Sequence, residues 1–113
     1  MSFLQAARVL LEQEGLRVVG VAASSAEALR RAAELRPEVI LVDIRLGDES
    51  GFDLARRLAH HSQDGAATVI LISTHMEADF ADLIAESLAQ GFLPKPELSA
   101  QAIGQIVDGR AGG

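Results

Sequence analysis

Two runs, "VILV" (residues 39–42) and "TVILI" (residues 68–72), limit the chain's folding options more than any other feature. A strand with no polar alternation must bury both faces, as strands do in parallel sheets covered by helices. The segments around them carry the helical period instead. Residues 2–14 place Phe3, Ala7, Leu10 and Leu11 on one stripe, with Gly15 as a stop. "LRVVGVAA" (16–23) is short, apolar and β-branched, and predicts a strand. Ser24 and Glu27 have capping-box spacing for a helix that buries Ala26, Leu29, Ala32 and Ala33 and ends by Pro37. Ser50 and Asp53 have N-cap and N3 spacing for a helix over 51–59, burying Phe52, Ala55 and Leu58. "HHSQDGAA" (60–67) reads as a loop, and 78–90 as a helix burying Phe80, Leu83, Ile84 and Leu88. "GFLP" (91–94) predicts a short strand. A last helix over 99–108 buries Ala102, Ile103, Ile106 and Val107, and residues 110–113 are expected to be a disordered tail.

The order αβαβαβαβα predicts an α/β fold, a doubly wound parallel sheet with helices on both faces. A chain of 113 residues makes one such domain, over 1–109. With 49% hydrophobic but only 4% aromatic residues, its core must be aliphatic. The net charge of -6 argues against direct binding to nucleic acid phosphates. Without cysteine the chain has neither disulfides nor a thiolate site, and a reducing cytoplasm is its natural compartment. No apolar run reaches the ~20 residues of a membrane helix, so no membrane partner is expected.

Parallel sheets carry their sites beyond the carboxyl ends of the strands. Three such ends hold reactive types: Asp43 after "VILV", Ser73 after "VILI" and Lys95 after "GFLP". A carboxylate can attack phosphorus, an ammonium can neutralise the incoming oxygens, and a hydroxyl can donate to them. These are the types that phosphoryl transfer to a carboxylate requires. His60, His61 and His75 lack the spacing of a zinc site. Arg30, Arg31, Arg56 and Arg57 read as solvated helix faces balanced by nearby acids.

In "LVDIRLGDESGF", "VILIST" and "GFLPKP" the chain resembles the receiver domain of bacterial two-component response regulators. The resemblance covers nearly the whole chain and implies a flavodoxin-like fold and a role in phosphorelay signal transduction. It makes Asp43 the phosphoacceptor, forming an aspartyl phosphate with a phosphoryl group from a sensor histidine kinase or phosphotransfer protein. It gives phosphoryl-binding and switch roles to Ser73, Thr74, Lys95 and Phe92. Mg²⁺ would be held by Asp43 and the backbone carbonyl of Arg45. Pro96 would follow Lys95 through a cis bond that aims the ammonium. A homodimer would form through the family's fourth helix, fifth strand and fifth helix. The domain itself is not expected to be an enzyme. Related aspartyl-phosphate phosphohydrolases place a second aspartate two residues after the nucleophile, where this chain has Arg45.

Two departures bear on mechanism. Gly47 stands where receivers usually have proline, which should loosen the loop. More serious, receivers open with a strand ending in an acidic pair, whereas this sequence starts at the helix that follows it. With the first strand missing and the acidic pair absent, the Mg²⁺ site is expected to be weak or incomplete, with Asp48 and Glu49 as candidate substitutes in the loop. Phosphorylation of the chain as it stands should then be poor, which favours an alternative: a degenerate, phosphorylation-independent receiver acting as a protein-interaction module. The family's strand order, 2-1-3-4-5, would leave a central gap, and direct pairing of 16–23 with "VILVD" is the expected way to close it, with a second chain filling the gap as the alternative.

Overall fold

Helical periodicity becomes helix where a cap and a buried face coincide. The computed structural model describes residues 3–22, 24–46, 49–61, 67–74 and 77–112. Helix α1 (Phe3–Gln13) turns Ala7 and Leu11 into the core. It stops at Gly15, whose φ of 96° lets the Leu16 N–H reach back to the Leu11 carbonyl at 3.0 Å. In α2 (Ser25–Leu35), the Ser24 side chain accepts from the Glu27 N–H at 3.2 Å, as its spacing predicts. α2 ends at Arg36, in the left-handed region ahead of Pro37.

The first apolar run forms β1 (Val39–Asp43). A two-residue antiparallel hairpin follows, β2 (Arg45–Leu46) with β3 (Glu49–Ser50), and leads into α3 (Gly51–His61). Next come β4 (Thr68–Ser73), a 3-10 turn (Glu77–Phe80), α4 (Ala81–Glu86) and β5 (Gly91–Pro94). A second 3-10 turn (Lys95–Glu97) precedes α5 (Ala100–Gly112). β1, β4 and β5 form a three-stranded sheet in the order β1-β4-β5, parallel throughout. One face packs on α2, α3 and α4 through Val42, Leu54, Ala55, Leu58, Val69 and Leu71. The other packs on α1 and α5 through Ala7, Leu11, Ile70, Ile72, Leu93 and Ile103. The doubly wound arrangement follows: β4 is apolar on both sides because helices cover both. Among the described residues, no helix is long and apolar enough to cross a membrane.

Two helices differ from their sequence periods. The helix predicted over 78–90 is confined to Ala81–Glu86, because the Ser87 hydroxyl donates back to the Ile84 carbonyl at 2.6 Å and accepts from the Ala89 N–H. That back-bonding competes with the helical ladder, and Leu88 follows with a φ of 65°. Leu83 and Leu88, expected in the core, are exposed instead. At the C-terminus, α5 runs through 110–112, where a disordered tail was expected. Each added residue gains a hydrogen bond, which offsets the roughly 1 kcal/mol cost of a helical glycine. Gly113 and loop residues 62–66 lie outside the described residues.

The largest difference is at 16–22. The segment forms no strand and does not join β1. The expected direct pairing is therefore not formed. A slot with a cavity of about 530 Å³ lies between the two, lined by residues 16–22 on one side and 37–43 on the other. The helices at either end of the segment explain it. Ala7 and Leu11 tie α1 to one core cluster, while Ala28, Leu29 and Ala32 tie α2 to the other. Closing the slot would pull one helix off its cluster, at about 1.5–3 kcal/mol per large side chain uncovered.

Candidate functional site

Asp43 ends β1, and both of its carboxylate oxygens have partners. Lys95 Nζ lies 2.7 Å from Oδ2, and the backbone N–H of Arg45 donates to Oδ1 at 3.0 Å. The ion pair is largely shielded from water, with side-chain exposures of 18% for Lys95 and 15% for Asp43. In such surroundings the attraction is screened less than at the surface. Two sequence-predicted residues, 52 positions apart in the chain and at the ends of strands that do not pair with each other, thus meet. The Lys95–Pro96 bond is trans, contrary to the cis bond expected from the resemblance. Pro96 sits instead in the first positions of the 3-10 turn Lys95–Glu97, where its fixed φ suits helical geometry. Lys95 still reaches Asp43, so a cis bond is not needed to aim it.

Ser73 ends β4 one step past Ile72, which is in register with Asp43, and Ser73 itself is in register with Pro94. It is 1% exposed, whereas Thr74 beside it is exposed. Phe92, in register with Leu71, is half-buried and packs on the α2–α3 side of the sheet. His75 and Asp48 lie outside the described residues.

Sequence reading missed two participants. The ring of Phe3, at the start of α1, lies under the Lys95 ammonium, 4.3 Å from Nζ to the ring centroid. That is close enough for a cation–π contact. Phe3 was legible only as a residue of a helix's apolar stripe, and nothing local signals what that stripe meets. The other is Glu49, whose Oε1 accepts from the Ser25 N–H at 3.0 Å and caps α2. The sequence offered Glu49 only as a candidate metal ligand in the loop, and nothing local signals that it caps α2.

Hydrogen bonding from the Ser25 backbone N–H, then from its side chain, and the nearby Arg57 charge hold the Glu49 carboxyl below its ordinary value of 4.5. The sign follows from this depression. The contact contributes fully above the unfolded carboxyl's value and is lost as pH falls through the lower folded one. An NMR titration should show the Ser25 amide shifting below pH 4.5, and Glu49→Gln should flatten that response. An unchanged titration in the variant would mean that another acid governs the α2 N-terminus.

Mg²⁺ takes near-octahedral oxygen coordination, usually with one or two carboxylates and several waters. Among the described residues, no cluster of three His, Asp or Glu side chains could hold a metal. Asp43 is engaged by two donors, and Glu49, a candidate substitute, accepts from the N-terminus of α2. Arg45, whose carbonyl the resemblance assigns to Mg²⁺, opens β2 opposite Ser50 in the hairpin. The described residues therefore do not by themselves compose a Mg²⁺ site of the kind the resemblance implies.

Comparison with known proteins points the same way as the strand ends. The family model of the response regulator receiver domain matches residues 1–108. The response regulator GacA of Pseudomonas aeruginosa is 31% identical over 106 residues, covering 91% of this chain and 49% of GacA. The chain thus spans about half the length, or less, of the curated relatives it matches. Among solved structures, the signal receiver domain of the putative response regulator NarL from Mycobacterium tuberculosis aligns with a TM-score of 0.78 and 28% identity, covering 98% of this chain and 88% of that one. A response regulator protein from Burkholderia pseudomallei, solved with a phosphorylated aspartic acid, calcium ion and citrate, aligns with a TM-score of 0.76 and 25% identity, covering 97% of this chain and 65% of that one.

Proposed function

Since this chain belongs to the response regulator receiver domain family of two-component systems, we propose that Asp43 is its phosphoacceptor. The donor is a phosphohistidine on a histidine kinase or phosphotransfer protein. A carboxylate oxygen of Asp43 attacks phosphorus, an acyl phosphate bond forms, and the phosphorus–nitrogen bond breaks. The departing imidazole keeps the electron pair and takes a proton. The observation that carries this reading is the 2.7 Å contact between Lys95 Nζ and Asp43 Oδ2. It sets a fixed cation where negative oxygens must approach a negative group. The Arg45 N–H orients the carboxylate through Oδ1. Ser73, one register step away on β4, is the hydroxyl to meet the transferred group, with Thr74 beside it and Phe92 as the responding aromatic. No output activity of its own is assigned to the domain. Self-association would use the face of α4, β5 and α5, where Leu83 and Leu88 are 45% and 49% exposed.

The two donors already on the Asp43 carboxylate predict slow transfer. Incubation with acetyl phosphate and Mg²⁺ should give partial labelling, read as a phosphoryl mass increment that is absent from Asp43→Asn. Labelling that persists in that variant would place the acceptor elsewhere. No labelling from acetyl phosphate or from a phosphorylated kinase would favour the second reading, a phosphorylation-independent interaction module. The commitment of both Asp43 oxygens to Lys95 and Arg45 supports that alternative.

A further inference from the structure

We propose that Phe3 is a positioning residue for phosphoryl transfer: its ring face holds the Lys95 ammonium at the site while that charge passes from Asp43 to the incoming phosphoryl oxygens. The inference rests on the reading of Asp43 as phosphoacceptor. Lys95 Nζ lies 2.7 Å from Asp43 Oδ2 and 4.3 Å from the centroid of the Phe3 ring. Carboxylate and ring therefore engage the same ammonium.

The two contacts differ in how they tolerate movement. A hydrogen bond to a carboxylate oxygen weakens steeply when its donor turns away. A ring attracts a cation over its whole face, through its quadrupole. Transfer requires Lys95 to turn. Both Asp43 oxygens already accept from a donor, so the attacking oxygen must share or shed one. The ammonium must then follow the negative oxygens of the phosphoryl group. Released from its carboxylate with no other partner, a lysine regains the freedom of a flexible four-carbon stem. Over the Phe3 ring it stays within reach of Asp43.

Helix α1 holds that ring in place. Phe3, Ala7 and Leu11 recur at every fourth residue and share one face, and Ala7 and Leu11 are buried. Past the helix end, Glu14 Oε1 accepts from the Ala100 N–H at 2.7 Å, which ties this end of α1 to the start of α5. Lys95 is fixed at its backbone as well. It follows β5 directly and opens the 3-10 turn, and its carbonyl accepts from the Leu98 N–H at 3.2 Å. Packing alone does not call for a ring at position 3. The cluster that Phe3 joins is otherwise aliphatic, with Ile70, Ile72, Leu93 and Leu98 among its members. The other three phenylalanines, Phe52, Phe80 and Phe92, pack on the opposite face of the sheet. A leucine would also fill the stripe, but it offers no quadrupole to a cation.

The experiment replaces Phe3, in the full chain, by phenylalanine analogues carrying one, two or three ring fluorines. Fluorine drains negative charge from the ring face and leaves its shape nearly unchanged. Exchange of the Lys95 ammonium hydrogens with water, followed in the cold by NMR of the side-chain nitrogen, should quicken with each fluorine. Initial labelling rates from acetyl phosphate and Mg²⁺ should fall in the same order, by about threefold to thirtyfold in all, the range that a cation–π contact spans. In Lys95→Ala the labelling rate should not respond to fluorination, because no ammonium faces the ring. A purely structural Phe3 would leave both series flat, since every analogue fills the same space. Flat series would overturn the proposal, as would exchange that quickens while the rates stand still, or an equal response in Lys95→Ala. The exchange series needs no phosphodonor. A chain that is never labelled therefore overturns the phosphoacceptor reading and this inference with it, whereas a flat exchange series overturns this inference alone.

Discussion

Gly51→Ala should destabilise the fold by about 3 kcal/mol or more, a loss at the upper end of what overpacking produces. α3 begins at Gly51, directly against the end of β1, where its N–H donates to the Ile44 carbonyl at 2.9 Å. A Cβ there would overlap the Asp43 carbonyl oxygen and lie 2.5 Å from the Ile44 Cα. These are backbone atoms of the strand end, and no rotamer change can move them aside. Either α3 lifts from the sheet, uncovering Leu54, Ala55 and Leu58, or Asp43 shifts. Thermal melts should show a midpoint lower by about 10 °C or more. An unchanged melt would mean that the helix start and strand end do not approach this closely. By comparison, Gly91→Ala meets only the Ile106 side chain, at 2.8 Å, where a rotamer change can relieve the contact.

Lys95→Ala should slow labelling of Asp43 by about 100-fold or more, the scale of losing one charge-stabilising group in a transfer step. With the ammonium gone, no described cation remains in contact with the carboxylate, whose Oδ1 keeps only the neutral Arg45 N–H. Incoming phosphoryl oxygens would then meet uncompensated negative charge. Lys95→Arg should recover part of the rate, since it restores charge but presents a planar fork in place of a point charge. Initial rates of mass increment measure the effect, and melts of both variants separate it from misfolding. Labelling of Lys95→Ala at the rate of the unaltered chain would sink the assignment of Lys95 to the phosphoryl group.

The legible parts of the fold were those with local causes. β1 and β4 follow from runs that are apolar at every position, and only burial on both faces accommodates such runs. Ser24 and Ser50 cap their helices because the acceptor and the N–H three residues on belong to the same turn. Asp43 and Lys95 could be singled out because parallel strands carry their carboxyl ends to one edge of the sheet. Features that depended on distant partners were misread. Residues 16–23 have strand composition, yet a strand exists only where another edge supplies its hydrogen bonds. Leu83 and Leu88 keep helical spacing but lie where no layer covers them.

The sequence by itself therefore determined the layered α/β architecture, its aliphatic core and the acid, hydroxyl and ammonium at three strand ends. Periodicity, capping and strand direction are properties of short segments, and they survive any arrangement of those segments. Tertiary structure alone decided that Lys95 reaches Asp43 through a trans proline turn and rests on Phe3. It also committed Glu49 to the start of α2. Above all it held 16–22 apart from β1, because α1 and α2 are anchored to opposite faces of the sheet and their burial outweighs the pairing that the segment between them would gain.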